Sequence, residues 1–559
     1  MANEPDRDYS ENIEKKFRAL ELRVEQDVVR RLRKAKEITS TADWQLNRYY
    51  VLGNSTRDIE NIFKETVGDT YPEVFELYDK VLSQQYVRTA ALYEQINEEA
   101  VPYDQNPEMR QLVDGLVRTS NDQLQNVTGS MGFMLDYGSG RMVFTPLAEI
   151  YDRYLDDAIL DVASGAFDYG AVLRRVTRQL TNSGLRTIDY PTGHTNRCDV
   201  AARRAIMTGI AQLTGTITEQ NAAKLGTKYY EVEWHAGARP THMVWQGKVY
   251  HEDDLRRECG LGDPLGLCGI NCYHRYYPFI SGVSVRSYTD EWLAEMNEKE
   301  LTPHAYRGKE YTRYEAEQRQ RYLETCIRAQ RERVSLLKTG DADHDDVIIQ
   351  QCRYQAMLDE YRKFSKAMTL PTQAERFYNG RTVGRIAPSR EVYTKYRAQQ
   401  QANYHARMRG IGAFPGAPET VDGYKNLKYN DPKKYELLRG YEKAVKNGDI
   451  HVLTGFAQYL KTAKEIDDIL VGAKTSTGIT IESYTTHFVD RTIGQTSTPH
   501  KGMRTGVLIS DSLDAIQNTV EVRPVRLMAD GDIRQTFVGK SADVTISITD
   551  KRLIQTNPG

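Results

Sequence analysis

The sequence predicts a multidomain α+β protein: a mainly helical N-terminal part, a small mixed centre carrying a Cys/His cluster, an antiparallel helical hairpin, a linker and a small C-terminal α+β domain. Three observations carry this. The chain has 559 residues, more than one hydrophobic core organises. Apolar residues recur at spacings of three and four through the first third and again past residue 310, the mark of helices with one buried face. From about residue 478 the pattern turns into short alternating segments punctuated by Gly, Pro and Asn, as in strands and turns.

Taken in order, Ile13, Phe17, Leu20, Val24, Val28 and Leu32 line one face of a long helix that Ser10 is placed to cap. "NSTRDIENIF" opens another helix near residue 55, and the pattern stays mostly helical to residue 165, with breaks at "AVPYDQNP" and "DYGSGRM". Residues 1–165 are therefore read as a helical, partner-binding region. Asp168 is placed to cap "YGAVLRRVTRQL", which closes at Gly184, and Val200, Met207, Ile210 and Ile217 then share a helix face. After Gly226, Tyr230, Val232 and Trp234 alternate with charged residues as in a strand, within a core spanning 166–300. Residues 301–374 form two helices, one ending at Gly340 and the other stopping before Pro371. The link "TGDADHDD" has the alternating carboxylates of a calcium loop, but Asp346 stands where Gly is required and Cys352 where Glu is required, so it is read as a capped turn. Residues 375–432 lose periodicity ("RGIGAFPGAPETVDGY") and are read as a linker or extended arm, and 433–559 as helices followed by a small sheet domain.

Composition narrows the functions. The net charge is −2 with 27% charged residues and a mean hydropathy of −0.62, which leaves no global polycationic field for wrapping nucleic acid. The N-terminus lacks the apolar core of a signal peptide, and no apolar run is long enough to span a membrane. Six cysteines do not make the dense framework of a secreted mini-domain and are read as reduced thiols. The 36 tyrosines, many among charges, suit broad protein–protein contact.

Four of eleven histidines and three of six cysteines fall between His235 and His274. One reading is a compact β-rich core with cysteines as small hydrophobes and hydrogen-bonded histidines. The other is a structural, tetrahedral zinc site drawing on His235, His242, Cys272 and His274, with Cys268 as the alternative ligand. No H-E-x-x-H is present, so a metal here is read as structural.

The order H-x-G-A-R-P-x-H-x-x-W-Q-G-K at His235–Lys248, followed by G-L-C-G-x-N-C-x-H at Gly266–His274, resembles the minor capsid protein 2 family of tailed bacteriophages. "RRAIMTGIAQ" and "YTRYEAEQRQRYLE" extend the likeness over roughly residues 10–370. The resemblance implies a head protein related in role to the Mu F-type minor head proteins, associated with the portal vertex and linked to head assembly or genome delivery. It further implies the portal protein and other capsid proteins as partners, phage DNA or host RNA as ligands, and a location in the virion after assembly in the host cytoplasm.

The tail carries "THFVDRTIG", "MRTGVLISDSLDAIQN" and "KRLIQTNPG", which resemble the metal-independent nuclease superfamily grouped around barnase, EndoU, colicin and RelE-like folds, over about residues 450–559. RNA cleavage without metal needs an acid and a base and cations on the phosphorane-like transition state. His487 is the candidate acid or base, Arg491 and Arg504 the candidate phosphate binders, and Thr556 a candidate donor from the last strand. His500 sits in a loop and offers no obvious second base. From Gly478 onward nine Lys/Arg meet nine Asp/Glu, so the tail lacks the net basic charge that draws in RNA; it reads either as a binding module without catalysis or as a capsid-delivered, metal-independent ribonuclease toxin for which the N-terminal part is the packaging vehicle. "VGKSADV" is not a phosphate loop, because Arg534 stands where the motif needs its first glycine.

Overall fold

The computed structural model describes residues 11–34, 36, 55–68, 70–94, 105–189, 192–378, 384–495, 504–528 and 531–559; the Ser10 cap and the His500 loop lie outside them. The chain divides into two compact units, residues 1–306 with 310–392 and residues 393–559 with 307–309. The α+β class holds, with mostly helical elements and small sheets that are almost entirely antiparallel.

The first unit begins with α1 (Glu11–Lys34), α2 (Ser55–Thr66), α3 (Tyr71–Glu94) and α4 (Pro107–Gly129). All six apolar positions picked out by the α1 periodicity are buried. At the start of α4, Asn106 accepts a hydrogen bond from Met109 N–H at 3.2 Å, and Pro107 presets the helical φ. The stretch read as helical up to 165 contains a β-hairpin instead, β1 (Met131–Asp136) and β2 (Met142–Pro146), with "YGSGR" as its turn. Apolar runs of five or six residues carry no period long enough to separate strand from helix, and the Gly-rich turn decides it. With β3 (Arg186–Asp189) and β4 (His194–Arg197) the hairpin forms a sheet in the order β2-β1-β3-β4.

Between them lie α5 (Leu155–Ala163) and α6 (Tyr169–Ser183). Asp168 caps α6, accepting from Ala171 N–H at 3.0 Å, and Gly184 ends it at φ +63°. A Cβ at Gly184 would collide with the Arg197 guanidinium and the Glu21 carboxylate. The long α7 (Cys198–Lys224) packs on α1, α3 and α4. A second, three-stranded sheet in the order β6-β5-β7 comprises β5 (Tyr229–Val232), β6 (Val249–His251) and β7 (Tyr276–Phe279), and closes its own small core around Val232, Trp245, Leu267 and Tyr276.

Beyond α8 (Asp290–Leu301) stands the expected hairpin of α9 (Arg313–Thr339) and α10 (His344–Ala367). Thr312 and Glu315 form a reciprocal capping box at the start of α9. In the linking turn Asp343 caps α10, Asp341 pairs with Lys36 and Asp346 with Arg174, so three of its four carboxylates are engaged as caps and ion pairs. Charge also enters the core. Asp199 binds Arg18 Nε at 3.0 Å and Arg328 Nη1 at 2.7 Å, while Glu21 and Glu25 from α1 meet Glu332 from α9.

The second unit starts in α11 (Arg390–Gly410) and continues through α12 (Val421–Asn430), α13 (Pro432–Asn447) and α14 (Gly455–Ile469). Helices α11 and α12 thus occupy much of the span read as linker. Few apolar residues are buried on them, only Tyr404 and Met408 on α11 and Leu427 on α12, which is why their periodicity is faint. Short β8 (Ser483–Tyr484) pairs in parallel with β13 (Arg552–Pro558), and antiparallel pairing continues to β12 (Ala542–Ser547), β11 (Ile533–Val538), β9 (Glu521–Val522) and β10 (Arg526–Leu527). Helices α15 (Thr486–Ile493) and α16 (Ile509–Gln517) bury Phe488, Val489, Ala515 and Ile516 against this sheet.

A candidate metal centre and a second candidate site

The turn after residue 259 is wound tightly enough to bring distant side chains together. Leu267 N–H donates to Cys259 O at 2.8 Å and Ile270 N–H to Pro264 O at 2.7 Å. A Cβ at Gly266 would strike Gly260 O, and one at Gly269 would lie 2.6 Å from Asp263 O and Pro264 O, so the motif glycines are required by close backbone approach. Cys268 and Asn271 adopt left-handed φ values of 59° and 56°. This winding delivers Cys272 and His274 beside His242, which comes from the helical turn Pro240–Met243.

Cys272 Sγ lies 3.7 Å from His242 Nδ1 and 3.5 Å from His274 Nδ1, and the two Nδ1 atoms are 3.4 Å apart. A tetrahedral zinc with Zn–N near 2.0–2.1 Å and Zn–S near 2.3 Å places its ligand atoms roughly 3.3 Å (N to N) and 3.6 Å (S to N) apart, so the three fit as three corners. The outer ring nitrogens fix the tautomers. His242 Nε2 lies 2.8 Å from Leu265 O and His274 Nε2 2.8 Å from Gln246 Oε1, and because those oxygens can only accept, each Nε2 carries the proton and donates. Both Nδ1 atoms therefore present lone pairs to each other, an unfavourable contact until a proton or a cation lies between them. Burial disfavours the proton: it lowers the pKa of His242, and it lowers that of His274 well below the ordinary value, with His235 and His242 adding to the effect. Burial raises the Cys272 thiol as well, so a bound cation is what would make it a thiolate.

Among the described residues, the structure brings together three of the four expected ligands. His235 stacks on His274 with ring centroids 4.1 Å apart, but its Nδ1 is 3.0 Å from its own neighbour's carbonyl, Ala236 O, and it stands outside the ligand group. Cys268, the alternative, turns its Sγ to His274 O at 3.6 Å and is also outside it. Gln246, which holds His274 and His235 N–H at once, is the positioning residue that ligand counting missed, although it stands within the quoted W-Q-G-K motif.

In the second unit, the start of α15 puts His487 and Arg491 one turn apart. Arg491 Nε donates to His487 Nε2 at 3.2 Å and Arg491 Nη1 to Asn557 Oδ1 at 3.3 Å. Asp490 is 7% exposed, lies 3.9 Å from His487 Nδ1, and accepts from the Tyr459 hydroxyl at 3.0 Å. Burial pushes its carboxyl up to about 7, against the opposing pull of Tyr459, Arg504 and Arg491. Arg504 Nη2 donates to Asp490 O at 3.3 Å, and its own pKa is lowered by burial and by Arg491. His487, Arg491 and Arg504 thus lie near one another around Asp490. Thr556 does not join them: it is fully buried, with its hydroxyl on Ser512 and Asp543 O. In its place the last strand offers Asn557. Asp490 was visible within "THFVDRTIG", whereas Tyr459 comes from α14 and carried no signal of its own.

A family model described as Phage minor capsid protein 2 matches residues 7–365, which include the whole Cys/His centre and stop short of residues 393–559. Comparison with curated proteins and with solved structures gave no match. The matched span of 359 residues (365 − 7 + 1) is more than half of the 559. The chain belongs to the phage minor capsid protein 2 family.

Proposed function

We propose that this capsid-family chain is a minor head protein held at the portal vertex, acting in head assembly or genome delivery, with its Cys/His centre pinned by one structural zinc. The observation that supports the reading is the family match, which spans residues 7–365 and includes the whole Cys/His centre. Zinc would be held by His242, Cys272 and His274, with the fourth position left to water or a further group, and would lock the glycine-rich turn against the three-stranded sheet. Partners are then other capsid proteins, the portal ring foremost. Quantitative mass spectrometry of purified particles tests this: the chain should be present at low copy number, and its absence from particles overturns the assignment.

The convergence of His487, Asp490, Arg491 and Arg504 supports a second activity, metal-independent RNA cleavage by the second unit. In this reading one of His487 and Asp490 takes the 2′-OH proton and the other protonates the leaving 5′-oxygen, while Arg491 and Arg504 stabilise the phosphorane-like charge. Incubation of the full chain with transfer RNA, with and without EDTA, should give EDTA-insensitive cleavage that His487→Ala abolishes. RNA left intact by the wild-type chain ends the enzymatic reading and leaves a binding module.

A further inference from the structure

We infer that a groove walled by α6, α9 and α10 grips the phosphate backbone of duplex DNA. The groove is about 320 Å³, and five arginines line it: Arg174, Arg175 and Arg178 from α6, Arg333 from α9 and Arg353 from α10. No carboxylate lines it. Arg174 pairs with Asp346 and Arg175 with Asp161, outside the lining. Among the described residues Arg178, Arg333 and Arg353 have no carboxylate within ion-pair distance.

The fixed geometry is that of a receptor. Arg333 is anchored by its Nε at 3.2 Å and Nη2 at 3.0 Å on Thr181 Oγ1, and by Nη2 at 2.7 Å on Asn182 Oδ1, which leaves Nη1 unengaged. Arg353 Nη1 rests on Gln350 Oε1 at 3.4 Å. Burial first, then the charges of Arg353 and Arg178, depress the Arg333 guanidinium against a weaker opposing pull from Glu25, so these cations face one another closely enough to repel. Like charges only partly compensated and held together by a rigid frame are relieved by an anion with several charged oxygens, and the planar guanidinium fork matches phosphate. Arg174 and Arg178 are one helical turn apart, about 6 Å along the axis, so they present successive cations to a chain of phosphates. The chain as a whole is near neutral, which makes this groove a local exception and not part of a general basic field. The choice of DNA rests on the virion reading above, in which the chain works beside packaged genome.

The test is fluorescence anisotropy of a labelled 20-bp duplex with the full chain, in about 50–200 mM salt. Arg178→Ser/Arg353→Ser alters two exposed positions, and a circular-dichroism melt checks its fold. The double variant should bind at least tenfold more weakly, and the slope of log K against log salt should fall by about 2, since each phosphate contact contributes about 0.9. Arg178→Lys/Arg353→Lys should keep most of that slope. Wild-type chain that ignores the duplex, a double variant that binds as well as wild type, or poly-glutamate that displaces DNA at equal charge each overturns the inference. Particle mass spectrometry tests the virion reading separately, so a chain present in particles yet indifferent to DNA condemns the groove alone.

Discussion

Glu332→Gln probes the charge cluster inside the first unit. Glu21, Glu25 and Glu332 are each no more than 4% exposed, and one carboxylate oxygen of each lies within 4.8 Å of the others. Neither oxygen of Glu25 has a hydrogen-bond partner. The nearest cations favour Glu21, with Arg197 Nη1 at 3.8 Å and Arg328 Nη2 at 4.0 Å, and Arg328 is already committed to Asp199. Burial, and next the charge of Glu21, therefore push Glu332 from 4.5 up to about 8; burial, then Glu332 and Glu21, push Glu25 the same way. A carboxyl that holds its proton more tightly when folded contributes stability fully present below pH 4.5 and lost as pH climbs toward 8. One proton gives a slope of at most about 1.4 kcal/mol per pH unit, so pH 6 to 8 removes roughly 2–3 kcal/mol. Glutamine keeps the shape without the ionisable group. Thermal melts from pH 5 to 9 in EDTA should show the wild type losing stability relative to the variant from pH 5 up to about 8, with the variant melting about 2–5 °C higher at pH 8. Parallel curves would refute the reasoning. So would a wild-type curve that a divalent cation flattens and a chelator restores, because the oxygens would then hold a metal in place of a proton.

Three further outcomes follow from the geometry. Cys272→Ser should drop bound zinc from about one per chain to near zero and lower the thermal midpoint; wild-type protein with less than about half a zinc per chain excludes the centre as a structural site. Gly209→Ala should destabilise by about 2 kcal/mol, although alanine normally gains about 1 kcal/mol in a helix. A Cβ there would overlap the Tyr78 hydroxyl and crowd Ser120 Oγ, which share a buried 2.8 Å hydrogen bond, and a stabilised variant would contradict that packing. For any RNA cleavage by the second unit, the pH–rate profile should carry an ionisation near 7 that Asp490→Asn removes; its persistence in the variant would assign that ionisation to another group.

The parts of the fold legible in the sequence are those where burial imposes a long period. Helix α1 repeats its apolar face over 24 residues, and the α9–α10 hairpin is delimited by Thr312, Gly340 and Asp343, each with a local capping or turn role. The β1–β2 hairpin and helix α11 were misread for opposite reasons. Strand β1 buries Met131, Phe133 and Leu135 on one face, but Gly132 and the half-buried Met134 on the other are apolar too, so the sequence shows no polar alternation. Helix α11 buries almost nothing, so its 21 residues show polarity without a face.

At the candidate sites, composition located the chemistry but could not choose among neighbours. His235, Cys268 and Cys272 are equally good ligands by type, and only the backbone separates them. The αL turn at Cys268 swings its thiol to the His274 carbonyl, and Gly269 lets the chain double back so that Cys272 faces two lone pairs. The same argument applies to the last strand. Thr556 and Asn557 point to opposite faces because side chains alternate along β13, so the hydroxyl goes to the core and the amide to Arg491. Register, a property of the sheet and not of the motif, decides which of two adjacent polar residues reaches Arg491. Metal occupancy should therefore depend on Gly269 nearly as strongly as on Cys272, since a side chain at residue 269 would unwind the turn that brings the thiol to its partners.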